Sequence, residues 1–247
     1  MLVAFVYDFP HKKSYEGLLK LAITGNLPDL VVGAPYRNLG STSLPLQRIE
    51  PLGLKFEHPK SVSRELGVPY ISTAHNSTEL KMHLSDMRPD IGVILGARIL
   101  EKEIIDLFDI GILNMHPGCL PQNRGLNNLK WAIIDDLPQG ISTHLIDSRI
   151  DLGRLIEISI VPVFSDDHYL DIFLRIQNLE LESLIRVLCN YKNGILGSIE
   201  LQHGKYNEKL GYENEKTMQA KFEQYKENYE MISHSYLKEY PNLPWVM

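Results

Sequence analysis

Short, almost continuously apolar runs alternate with segments of helical period along this chain, and few folds accept that pattern. The runs are Leu2–Tyr7, Leu30–Gly33, Ile91–Leu95, Ile110–Met115, Ile141–Leu145 and Leu155–Val161. A strand wetted on one face alternates apolar and polar residues, whereas a strand covered on both faces does not. Covered strands separated by helices predict a doubly wound α/β fold with a mostly parallel sheet, and count against a sandwich. The clearest helix is expected to open with Asn76 and Glu79 as a capping box, to place Leu80, Leu84 and Met87 on one face, and to stop before Pro89. A longer one is expected after Ser165-Asp166-Asp167, with Leu170, Leu174, Leu181, Leu184 and Leu188 on one face and an end near Asn193-Gly194.

A chain of 247 residues holds one large domain, or one plus a small appendage. Past Gly204 the composition turns to Lys, Glu, Asn and Tyr, and Asn214–Glu239 can form an amphipathic helix. The expected division is therefore a main domain over residues 1–195 and a helical extension or dimerisation element over residues 196–247, whose charged stretch from Glu213 to Glu230 reads most simply as a solvated helix face, with Tyr225, Tyr229 and Tyr236 as a homodimer contact the lesser alternative. Residues 34–60, with Pro35, Pro45, Pro51 and Pro59, read as a long connection covering a substrate.

A net charge of −6 counts against a surface built for polyanions, so no nucleic-acid partner is expected. Two cysteines, Cys119 and Cys189, make neither a disulfide framework nor a zinc knuckle and fit a reducing, cytoplasmic setting. The opening residues lack a basic stretch and meet Asp8 early, and Arg98 interrupts the apolar span from Ile91 to Leu100, so neither a signal peptide nor a membrane span is expected. The glycine-rich dinucleotide and P-loop signatures, the serine elbow and the zincin motif are all missing. His11, His58, His75, His83, His168, His203 and His234 show no metal-ligand spacing, and no metal is expected.

In a doubly wound sheet, ligands sit beyond the carboxyl ends of the strands, which directs attention to Asn114-Met115-His116-Pro117-Gly118. Alternate spacing sends the Asn114 amide and the His116 imidazole off the same side of their strand. A carboxylate, Asp151, follows a second apolar strand that holds His144 and Asp147. Against this stands the plainer reading in which Asn114 and His116 satisfy loop backbone; His144 fits a satisfied core or supporting imidazole and direct participation equally well. Cys119, near His116, reads as a nucleophile or, with more weight, as a buried small apolar side chain.

The wording NxHPGxLPxxRGxxxxxWAI followed by DxG resembles the core of the 10-formyltetrahydrofolate-dependent formyltransferases, carried here by Asn114, His116, Leu120, Pro121, Arg124, Gly125, Trp131, Ala132, Ile133, Asp151 and Gly153. The run from Pro89 to Leu100 is similar to the family's folate strand and loop, and the likeness covers roughly residues 89 to 162. The resemblance implies a Rossmann-like fold with a small C-terminal extension, and Asn114, His116 and Asp151 as the catalytic trio. It further implies that Arg98, Ile99 and Leu100 line a pterin pocket whose other wall is Leu145 and Asp147, with 10-formyltetrahydrofolate as cosubstrate. In such a reaction Asn114 and a protonated His116 would donate to the developing oxyanion while Asp151 favours the imidazolium and helps move a proton.

Within that family the stretch Tyr7-Asp8-Phe9-Pro10-His11 departs from the phosphate loop of the glycinamide ribonucleotide enzymes, and the last fifty or so residues are too few for the barrel of the initiator-tRNA enzymes. Pro121 to Asn127, with Trp131-Ala132-Ile133, looks most like the sugar N-formyltransferases. The implied acceptor is a nucleotide-linked amino deoxysugar of the kind used in lipopolysaccharide O-antigen, with Arg124, Asn127 and Asn128 on its side of the site. Arg124 equally fits a role pinning the loop through backbone carbonyls. Competing readings are formyl transfer to another small amine, a formyltetrahydrofolate hydrolase, and a non-catalytic nucleotide-sugar-binding module.

Overall fold

In the computed structural model the described residues are 1–37, 55–201 and 203–246. In chain order the elements are β1 (Leu2–Tyr7), α1 (Lys12–Ile23), β2 (Leu30–Ala34), α2 (Pro59–Glu65), β3 (Tyr70–Ser72), α3 (Thr78–Met87), β4 (Ile91–Ile94), α4 (Lys102–Ile105), β5 (Gly111–His116) and β6 (Arg124–Gly125). They continue with α5 (Asn128–Ile134), β7 (Gly140–Leu145), β8 (Arg154–Ile160), α6 (Tyr169–Lys192), β9 (Ile199–Glu200), β10 (Tyr206–Asn207), α7 (Tyr212–Glu227), α8 (Tyr229–Glu239) and β11 (Trp245–Val246). The connection expected over residues 34–60 lies largely outside the described residues.

The main sheet has the order β11-β8-β7-β5-β4-β1-β2-β3, with β9 beside β8. From β3 to β5 every pairing is parallel. β7 then runs antiparallel to both β5 and β8. The expected Rossmann-like α/β fold with a mostly parallel sheet is what forms. Helices cover both faces because alternate strand residues have opposite destinations. Ala4, Val6, Val31, Val93, Leu113 and Met115 join one apolar cluster with α1 and α6. Val3, Phe5, Val32 and Ile112 join another with Leu80 and Leu84 of α3 and Ile104 of α4.

Two helix starts differ from expectation. Ser77, not Asn76, caps α3: its hydroxyl accepts from the Leu80 N–H at 3.1 Å. Asn76 instead holds the loop after β4, donating to the Ile99 carbonyl at 3.0 Å and accepting from the Glu101 N–H at 2.9 Å. α6 starts after His168, whose N–H donates to Asp171 at 2.7 Å. Asp167 is instead clamped by Arg175 at 2.8 and 2.9 Å. Leu181, Leu184 and Leu188 are buried, whereas Leu170 and Leu174 face solvent.

The segment after Gly204 forms two helices, broken at Asn228. Met218, Tyr225, Tyr229 and Ile232 belong to the main apolar cluster, and Tyr236 to a third one with Cys119 and Leu155. Tyr225, Tyr229 and Tyr236, expected on an exposed dimer contact, are 1%, 5% and 4% exposed and are covered by the chain's own core. Buried phenols also need partners, and Tyr225 donates to the Leu137 carbonyl at 2.7 Å while Tyr229 donates to that of Val161. Among the described residues no helix is long and apolar enough to cross a membrane, and no group of three or more potential metal ligands occurs.

Candidate active site

β5 delivers Asn114 and His116 to one face of the sheet, and antiparallel pairing sets His144 of β7 opposite Asn114 and Ser142 opposite His116. The β7–β8 register shifts between Thr143 and His144, the kind of irregularity that re-aims a side chain beside a site. The sequence suggested two neighbouring strand exits. The antiparallel course of β7 changes that: its exit, Leu145, pairs with Leu113, well back from the carboxyl end of β5. The following loop has to fold back, and Asp151-Leu152-Gly153 makes the return. Asp151 itself sits at φ 49° and Gly153 at φ 97°. A Cβ on Gly153 would come within 2.3 Å of the Leu145 carbonyl oxygen, so glycine is required there on two counts.

The loop touches an imidazole on each of β5 and β7. Asp151 Oδ1 lies 3.3 Å from His116 Nδ1, and the Leu152 carbonyl oxygen lies 2.8 Å from His144 Nδ1. Asp151 Oδ2 also accepts the Gly125 N–H at 2.8 Å. Burial works to raise the Asp151 pKa, but the positive charge and hydrogen bond of His116, with the Gly125 N–H, outweigh it and hold the carboxyl at about 2. Asp151 is therefore an anion that accepts.

The hydrogen bonds also fix the two imidazoles. His116 is 3% exposed, and its Nε2 lies 2.7 Å from the Asn123 carbonyl oxygen. Both of its neighbours are pure acceptors, so a ring that satisfies both carries a proton on each nitrogen and is an imidazolium. His144 is the opposite case. Complete burial and the charge of His116 depress its pKa to about 4, against the pull of the Leu152 carbonyl and of Asp151. A neutral ring whose Nδ1–H serves Leu152 must accept at Nε2, and Asn114 Nδ2 stands 3.2 Å from that atom. The Asn114 amide is thereby oriented, and its second N–H has no protein acceptor among the described residues.

Asn123 carried no role in the sequence reading, yet it supplies the acceptor for His116. Its own amide donates to the Asn128 carbonyl at 2.9 Å and accepts from Asn128 Nδ2 and Asn207 Nδ2 at 3.2 and 2.9 Å. Gly118 lets the strand pass, since a Cβ there would lie 2.6 Å from the Asn123 carbonyl oxygen. Only the Pro-x-Asn-Arg-Gly wording hinted at Asn123; Asn207 gave no sequence signal.

The residues expected on the acceptor side are engaged within the protein. Arg124 donates to the Ile150 carbonyl at 3.1 and 2.6 Å and to that of Gly204 at 3.3 Å, the loop-pinning role. Asn127 accepts from the Leu210 N–H at 2.8 Å. Asn128 is 5% exposed, and its Nδ2 donates to the Asn123 carbonyl at 2.9 Å. Of the residues expected to line the pterin pocket, Leu145 and Asp147 line a cavity of about 530 Å³ with Ile105, Phe108, Ile146 and Arg154, while Arg98, Ile99 and Leu100 lie outside that lining. Ile99 is exposed and Leu100 buried. Asp147 accepts from the Arg149 N–H at 2.7 Å. Cys119 is fully buried, its thiol pushed up to about 12 by that burial, which fits the inert reading.

Chemically, the cluster presents one free amide N–H, a buried positive charge and an anchoring carboxylate around the face of β5, an arrangement suited to a developing oxyanion. The family described as formyl transferase matches residues 46–188. The chain is 27% identical over 159 residues to a methionyl-tRNA formyltransferase of Koribacter versatilis, an alignment covering 63% of this chain and 51% of that one, so the chain spans about half the length of the curated relatives it matches. The fold is shared with glycinamide ribonucleotide transformylase 1 of Symbiobacterium toebii (TM-score 0.60, 19% identity, 82% and 94% of the two chains). It is also shared with an N-formyltransferase of Helicobacter canadensis in complex with folinic acid and dTDP-3-aminofucose (TM-score 0.60, 16% identity, 92% and 81%).

Proposed function

Because this chain belongs to the formyl transferase family, we propose that it moves a formyl group from 10-formyltetrahydrofolate to the amine of a nucleotide-linked amino deoxysugar. The observation that carries the transfer reading is the Asn114 amide, fixed in orientation by neutral His144 beside the His116–Asp151 pair. In the reaction the acceptor nitrogen bonds to the formyl carbon, the bond from that carbon to N10 breaks, and the proton lost by the amine is gained by N10. Asn114 donates its free N–H to the oxygen as charge builds on it. His116 contributes a fixed positive charge. Both its N–H groups serve protein acceptors in this geometry, so a direct bond to the oxyanion requires it to exchange one of them. Asp151, with its pKa near 2, holds the imidazolium in place and is too weak a base to keep a proton.

Three features support the sugar acceptor: the wording of Pro121 to Asn127, the fold shared with an enzyme bound to dTDP-3-aminofucose, and the net charge of −6, which is poor for tRNA. The curated relatives favour a second reading, formylation of an aminoacyl-tRNA. A panel of dTDP- and GDP-linked amino sugars, beside methionyl-tRNA, tested with the folate donor and read as tetrahydrofolate formation, separates them. Turnover that requires one amino sugar supports the proposal. Turnover only with tRNA moves the protein to the second reading, and equal formate release without any acceptor makes it a hydrolase.

A further inference from the structure

We propose that Asn207, beyond the stretch matched by the family and carried by the C-terminal extension, is a positioning residue for His116, acting through Asn123. This role rests on the proposed formyl transfer only for its kinetic consequence. The segment from Gly204 to Leu210 lies along the loop that leaves β5. The Arg124 and Leu126 N–H groups donate to the Lys205 and Asn207 carbonyls at 3.2 and 2.9 Å, and β10 pairs with β6 in parallel. Trp131 Nε1 donates to the Glu208 carbonyl at 2.8 Å, and Asn127 accepts from Leu210. These bonds would hold the loop with almost any side chain at position 207.

The Asn207 side chain does something the backbone ties do not. It is 2% exposed, and its Nδ2 donates to Asn123 Oδ1 at 2.9 Å. That oxygen also accepts from Asn128, so a flipped Asn207 would set oxygen against oxygen; the orientation shown satisfies Nδ2 and leaves the buried Asn207 Oδ1 without a partner among the described residues. Asn123 is thus gripped on its side chain from two directions, and its carbonyl is the group that accepts His116 Nε2–H at 2.7 Å. Losing the Asn207 donor lets Asn123 turn, lengthens the bond to His116 and weakens the imidazolium. A buried hydrogen bond to a charged group is sensitive to such displacement.

The test uses the full chain with Asn207→Ala and Asn207→Ser, plus Trp131→Phe as a control that loosens the same segment without touching Asn123. Imidazole ¹⁵N NMR, with the His116 signal assigned by its absence in His116→Gln, follows protonation without substrate. The expected result is a His116 titration midpoint displaced to lower pH in Asn207→Ala and by less in Asn207→Ser, with no displacement in Trp131→Phe. In the formyl-transfer assay kcat falls about tenfold in Asn207→Ala with KM for the folate little changed, and the alkaline limb of the kcat profile moves with the NMR midpoint. An Asn207→Ala protein with the wild-type midpoint overturns the proposal, as does a shift equalled by Trp131→Phe. If Asn207→Ala does not fold, Asn207→Ser decides. A wild-type protein with no formyl transfer sinks the functional reading and leaves the NMR comparison standing.

Discussion

Asn114 has two amide hydrogens, and the use of one determines the direction of the other. His144 takes the first because its ring is neutral, and it is neutral because burial and the neighbouring imidazolium keep a second proton off. Asn114→Ala should lower kcat by about a hundred- to a thousand-fold, the usual loss when a preorganised oxyanion donor is removed. His144→Phe should cost less, since the amide survives but can turn. In the double variant the His144 change should add little, because its target is gone. A cycle of the two single variants and the double, measured as kcat/KM, reads this coupling; strictly additive losses would separate His144 from Asn114.

At the scale of elements, the Asp151-Leu152-Gly153 return places one carboxylate and one carbonyl against two different imidazoles. Gly153→Ala pushes a Cβ into the Leu145 carbonyl oxygen at positive φ. It should destabilise the protein by about 2–4 kcal/mol in urea unfolding and lower activity beyond that, since Asp151 and Leu152 move with it. Wild-type activity in a well-folded Gly153→Ala protein would mean that the return does not set the site. Elements of this kind also show how far the sequence can be read. β1 and the spacing of Asn114 and His116 were legible because period and position follow from local chemistry. The cap of α3 was misplaced by one residue because Asn76 and Ser77 are equally good caps, and only the distant Ile99 loop claims Asn76. The antiparallel direction of β7 was not legible either, since a strand covered on both faces carries no mark of its direction. Asn123 and Asn207 come together across an interval that no local pattern encodes.

For the whole molecule, the buried and half-buried histidines tie stability to pH. Burial depresses the pKa of His144 to about 4, and also lowers those of His75 and His11. An unfolded chain takes up these protons near pH 6.5, while the folded one refuses them. Where the unfolded state binds more protons, stability rises with pH, so the contribution is complete above pH 6.5 and is lost as the pH falls toward 4. For His144 alone the loss amounts to roughly 3 kcal/mol across that window. Asp151 acts lower down, losing its share between its ordinary value and about 2. Urea unfolding at intervals from pH 7 to 4 should therefore give a falling free energy, with a shallower fall in His144→Gln that retains the part due to His75 and His11. A wild-type curve that stays level from pH 6.5 to 4.5 would require a charged His144, which cannot accept from Asn114, and the proposed orientation of the Asn114 amide would lose its physical basis.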